Sequence, residues 1–219
     1  MKLDTSTLQI LKNFSSINTN IMFKEGNKLA TISPTKTIMA RAVVNQEFPK
    51  KFAIYDLPRF LGTISLFNDA VIDFNDNYLE IKEGSNKFKY SYTDPSLIVT
   101  PPEKEIKLPS VDVKFTLTES ALKKTLRALS VAGLPEIAFT GDGDKIYVQA
   151  IDTRGATNDV YSVEVGETNK QFRMVFRAEN IKLMDGDYEV SISSQGLSHF
   201  KGTNVEYFIA IESNSTYTD

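Results

Sequence analysis

The chain has 219 residues, 41% hydrophobic and 24% charged, a globular composition long enough for one large domain or two ordinary ones. It contains no cysteine and one histidine, His199, which excludes disulfides, thiolate nucleophiles and cysteine zinc sites and leaves little soft-metal chemistry. With a formal net charge of −3 it is no general polyanion binder, so a nucleic-acid role requires basic residues gathered on one face.

The first helix opens in LDTSTL, residues 3–8. Leu8, Leu11, Phe14 and Ile17 recur at helical spacing, which leaves Gln9, Lys12, Asn13 and Ser16 on the outer side. Strands follow at 21–24, 28–33 and 37–43, with Glu25-Gly26-Asn27 as a turn. A short extended run, 52–55, then ends at Asp56, an N-cap, and Pro58 fits the first helical turn. Leu57, Phe60, Leu61 and Ile64 form the apolar side of this second helix, opposite Arg59 and Thr63. A meander of 70–74, 78–82 and 87–92 turns at Asn75-Asp76-Asn77 and Gly84-Ser85-Asn86.

Residues 94–110, DPSLIVTPPEKEIKLPS, carry four prolines and suit an extended connection between domains 1–93 and 111–219.

Beyond it the pattern repeats. LTESAL, residues 117–122, echoes LDTSTL at an offset of 114 and opens a helix. In it Leu122, Leu126 and Leu129 face inward, while Lys123, Lys124, Arg127 and Ser130 face out; Gly133 and Pro135 stop it. Strands at 136–140, 145–151 and 160–165 follow, the first two joined by the 141–144 GDGD hairpin. The extended run 172–176 leads into 177–184, where Ile181 and Met184 are apolar and Lys182 polar, repeating the strand-to-helix unit of 52–69 about 120 positions on. Strands at 187–193, 198–201 and 205–211 close the chain, and the polar residues 213–219 form a loosely held tail.

No catalytic constellation is present. His199 sits at strand spacing in SHFKG, and neither a Gly-x-Ser-x-Gly elbow nor a P-loop exists. Asp142 and Asp144 lack the ligand run of a calcium loop, and Asp73 and Asp76 belong to an acidic turn. The sequence therefore implies no enzyme, metal or cofactor. No apolar run reaches the length of a membrane span, and residues 1–20 lack a basic start followed by an apolar stretch, so the expectation is an intracellular protein.

One feature stands above this background. Lys12, Arg59, Lys123, Lys124, Arg127 and Lys182 place positive charge on the outer sides of four helices, while Asp4, Asp56, Glu119 and Glu179 lie at helix starts, where the dipole favours acids. Plain solvation produces lysine-bearing faces too. Few aromatics accompany the basic residues, so phosphate contact fits better than base stacking.

Four stretches carry a family resemblance: LKNFSSINTNIMFKEG at 11–26, AIYDLPRFLGTISLFND at 53–69, AENIKLMDGDYEVSI at 178–192 and FKGTNVEYFIAIESNST at 200–216. They resemble the DNA polymerase sliding clamps of T-even-type tailed bacteriophages, relatives of proliferating cell nuclear antigen and the bacterial beta clamp. Residues 100–159 resemble the family less.

The resemblance implies an α+β clamp fold of two similar domains, each with antiparallel sheets and two helices, and a ring of three chains with helices inside. Such a ring has no reaction of its own. It encircles duplex DNA without sequence preference, is set there by an ATP-dependent clamp loader, and tethers the replicative DNA polymerase in the cytoplasm of the infected host. It also implies support of late transcription through a sigma-like factor and a co-activator. The six basic residues then face the pore. By the family pattern, Phe88, Tyr90 and Tyr92 and, on the neighbouring copy, Tyr161, Val163 and Val165 form the subunit interface, and Leu97, Ile98, Val99, Ile209 and Ile211 form a groove for partner peptides. The rival reading is a two-domain protein-interaction scaffold without a DNA pore, and a hydrolase lies further off.

Overall fold

The computed structural model describes residues 1–155 and 159–218. The chain forms two compact units, Met1–Lys104 and Glu105–Asp219.

In the first unit, α1 (Thr5–Ile17) starts where the Asp4 carboxylate accepts the Thr7 amide at 2.7 Å. Its buried side is Thr7, Ile10, Leu11, Phe14 and Ile17, with Leu8 only half-buried at the margin. β1 (Ile21–Phe23) pairs antiparallel with β4 (Phe52–Ile54), and β2 (Gly26–Ile32) pairs antiparallel with β3 (Ile38–Phe48). α2 (Leu57–Ile64) follows β4 directly, capped by Asp56, whose carboxylate accepts the Arg59 amide at 2.9 Å. Strands β5 (Val71–Phe74), β6 (Tyr78–Glu83) and β7 (Asn86–Ser91) make a three-stranded antiparallel sheet in that order.

An aromatic cluster fills the space under β4. Phe23 stacks on Phe52 at 4.4 Å, and Phe48, Phe74 and Tyr92 close around them. The extended stretch after β7 is anchored rather than free: a 3₁₀ turn, Pro95–Leu97, delivers Ile98 against Met22 and Ala53, and Arg41 donates to the Lys104 carbonyl at 2.9 Å.

In the second unit, β8 (Val113–Leu117) buries Val113, Phe115 and Leu117 and leads into α3 (Glu119–Ala132). Thr118 caps α3, and Gly133 ends it with a φ of 65°, the left-handed conformation glycine adopts without strain. The strands β9 (Glu136–Asp142), β10 (Lys145–Ile151), β11 (Tyr161–Glu167), β12 (Gln171–Arg177) and β16 (Thr216–Thr218) form one sheet in the order β11-β10-β9-β12-β16. β13 (Tyr188–Ser193) pairs with β8 and with β14 (Leu197–Lys201), which pairs with β15 (Val205–Ala210).

Two expectations fail here. The helix expected over 177–184 is only a 3₁₀ turn, Ala178–Asn180, without a side-chain cap at Arg177. Eight residues without a side-chain cap do not carry the cost of helix nucleation. Among its described residues the second unit thus has one α-helix, not two, and Lys182 lies on irregular backbone. The tail is not loose either. Thr216–Thr218 pairs with β12, and the Ser215 hydroxyl accepts the Val175 amide at 2.9 Å.

Candidate nucleic-acid interface

Basic side chains concentrate on α3. Burial of Ala121, Leu122, Thr125 and Leu129 turns Lys123, Lys124 and Arg127 to solvent. Lys123 and Arg127 are four apart and share one side of the helix, with Lys124 beside them. The three differ in electrostatic freedom. Lys123 is held by Asp185 at 2.8 Å and by Glu119 at 2.5 Å, and these hydrogen bonds raise its pKa, Asp185 contributing most. Among the described residues Lys124 and Arg127 form no ion pair, so their charge is the part of this face available to an anion.

The first unit contributes less. Lys12 is exposed on α1, where the other exposed residues are neutral: Thr5, Ser6, Gln9 and Ser16. Arg59 is exposed on α2, its guanidinium 5.9 Å from the Tyr90 ring. Lys182 is half-buried off any α-helix.

Of the residues assigned to subunit contact, Phe88 and Tyr90 lie on β7, Tyr92 just past its end, and Tyr161, Val163 and Val165 on β11. β7 ends the three-stranded sheet and β11 ends the five-stranded sheet. Their side chains do not all face outward. Tyr90 is buried against Phe60 at 5.2 Å and donates its hydroxyl to the Asp56 carbonyl at 3.0 Å; Phe88 and Tyr92 are half-buried. Burial pushes the Tyr90 and Tyr92 phenols up. On β11, Tyr161 is exposed while Val163 and Val165 are half-buried. What these strands offer at the surface is mainly their unpaired backbone edge.

The residues assigned to peptide docking also separate. Leu97 and Val99 are 59% and 42% exposed, whereas Ile98 and Ile209 are buried and Ile211 is half-buried.

His199 behaves as a strand residue, stacked on Phe208 at 4.4 Å, with its Nε2 2.8 Å from Glu206. Among the described residues, no three His, Cys, Asp or Glu side chains gather to hold a metal ion, and no helix is long and apolar enough to cross a membrane.

Sequence reasoning missed Asp185 as the partner that occupies Lys123, and missed β8, although Val113, Phe115 and Leu117 alternate as a half-buried strand should. Asp185 had no signal, because its neighbourhood was read as the end of a helix.

Comparison with known proteins agrees with this architecture. Residues 2–100 match the family DNA polymerase processivity factor, and residues 114–213 match the family gp45 sliding clamp, C terminal. The sliding clamp of Vibrio phage KVP40 is 31% identical, with 97% of this chain and 99% of that protein covered. The sliding clamp of Enterobacteria phage T4 is 29% identical, with 99% of each covered. Among solved structures, proliferating cell nuclear antigen from Thermococcus kodakaraensis superposes with a TM-score of 0.72 at 17% identity, covering 96% of this chain and 98% of that one. The A. fulgidus protein bound to the C-terminal region of FEN-1 gives 0.69 at 17%, covering 95% and 96%. At such identities the structures establish the clamp fold, and the phage relatives establish the kinship: this chain belongs to the phage sliding clamps, non-enzymatic processivity factors of DNA polymerase.

Proposed function

We propose that three copies of this chain close head to tail into a ring that encircles duplex DNA and tethers the replicative DNA polymerase during infection, in the host cytoplasm. An ATP-dependent clamp loader opens the ring and sets it on DNA, and the same ring supports late transcription with a sigma-like factor and a co-activator. Within each chain the clamp domains are 1–93 and 111–219, joined by the connector 94–110.

The observation that carries this reading is the pair of open sheet edges, β7 in one unit and β11 in the other. One chain thereby offers two different surfaces to its neighbours, which is what a heterologous, ring-closing contact needs. Pairing them also satisfies backbone groups that otherwise invite aggregation.

DNA contact falls mainly to Lys124 and Arg127, with Lys12 and Arg59 adding to it and Lys123 and Lys182 less available. Few contacts of this kind, partly through water, favour sliding over a tight grip. Partner peptides dock on the exposed Leu97 and Val99 of the connector.

Sedimentation equilibrium tests the assembly. A mass of three 24.5-kDa chains at micromolar concentration is the expected result, and a chain that stays monomeric as concentration rises overturns the ring.

A further inference from the structure

Building on the ring reading, we infer that the two open edges carry opposite charge, and that this charge selects which edge pairs with which: β7 of one copy with β11 of the next. On β7, Lys87 and Lys89 are exposed on either side of the half-buried Phe88. Lys89 rests its ammonium 4.1 Å from the Tyr78 ring, at the solvent face of the sheet. On β11, Glu164 and Glu167 have side chains 55% and 80% exposed. Both lean on one ammonium, that of Lys145, at 3.3 and 2.9 Å. One lysine between two carboxylates leaves that edge negative.

The remaining ends of these two sheets are poorer candidates. The outer side of β5 is engaged by Met1, whose amino group donates to the Ile72 carbonyl at 2.7 Å and whose carbonyl accepts the Ile72 amide at 2.8 Å. β16 has only three residues.

Charged edges by themselves are a common protection against edge-to-edge aggregation. That purpose is served by the same sign on both edges. Opposite signs do something else. A β7–β7 contact brings four lysines together and a β11–β11 contact four glutamates, and like charges across paired strands are destabilising. The mixed contact alone sets lysine against glutamate. Isologous dimers are the commonest oligomers, so this charge pattern works against the two-fold alternative and towards head-to-tail closure, by repulsion as much as by attraction.

The test uses the full chain in five forms, followed by sedimentation equilibrium in low and high NaCl: wild type, Lys87→Glu with Lys89→Glu, Glu164→Lys with Glu167→Lys, all four substitutions together, and Glu164→Gln with Glu167→Gln. The wild type is expected to form trimers that weaken with salt. Each single-edge reversal is expected to weaken association by about tenfold or more, and the chain with both edges exchanged to recover it. Glu164→Gln with Glu167→Gln avoids crowding Lys145 with further lysines and is expected to fall between wild type and reversal; thermal melting confirms that each variant is folded. A wild type that never associates overturns the ring reading itself. A stable wild-type trimer indifferent to both reversals and to salt overturns the charge assignment alone.

Discussion

The Tyr188 hydroxyl donates to the Met184 carbonyl at 2.7 Å, and the neighbouring Tyr207 hydroxyl accepts the Met184 amide at 3.2 Å. Two side chains thus satisfy the backbone of a segment that repeats the sequence pattern of α2 without repeating its helix. Both rings are buried and meet edge to face at 6.0 Å. Burial pushes both phenols up, Tyr207 to about 12.

Tyr188→Phe keeps the ring and leaves the Met184 carbonyl without its donor. The expected cost is about 1–2 kcal/mol of unfolding free energy, measured by urea denaturation at unchanged m-value. A variant as stable as wild type would mean that water replaces the hydroxyl.

Asp185 holds the Lys123 ammonium at 2.8 Å, so under the proposed ring the free charge of α3 is that of Lys124 and Arg127. Lys124→Glu with Arg127→Glu should therefore weaken duplex binding by about tenfold and lower the salt slope by about 2, with Lys123→Glu doing less. Asp185→Asn should strengthen binding modestly by releasing Lys123. Equal losses from Lys123→Glu and from Lys124→Glu would contradict the partition.

Asp4 gives a pH dependence of definite sign. Hydrogen bonds from the Thr7 amide and the Asn45 side chain bring its pKa from 3.8 down to about 2. The folded value lies below the unfolded one, so its stabilisation is complete above about pH 4 and fades as pH falls towards 2. Asp4→Ala should cost about 1 kcal/mol at neutral pH, and the difference from wild type should shrink as acid melting curves are taken below pH 4. A difference that stays constant to pH 2 would exclude the carboxylate as its source.

Leu97 and Val99 are exposed on a stretch anchored by Ile98. Leu97→Ser with Val99→Ser should abolish stimulation of the polymerase while leaving thermal stability and assembly as in wild type. Stimulation at the wild-type level would place peptide docking elsewhere. Ile98→Ser is the contrasting variant, since it loosens the anchor and should lower stability as well.

The first unit was largely legible because its signals are local. Asp56 followed by Pro58 marks the start of α2, and Phe52–Ile54 reads as a strand whichever sheet it joins. Lys123, Lys124 and Arg127 could be placed on an exposed face from the spacing of Leu122 and Leu129 alone. What escaped depends on residues distant in sequence. The repeat promised a helix after Phe176, but Tyr188 and Tyr207 offer its backbone other partners. The tail looked polar and free until Thr216–Thr218 met β12. Ile209 had the composition of a groove residue, and only the sheet around β15 shows it turned into the core.

The most direct test of the account is an image of single particles of the chain. Class averages showing a closed ring with a central hole and threefold repetition are the predicted result. Solid or two-lobed particles without a hole, at a concentration where the chain is assembled, would contradict it.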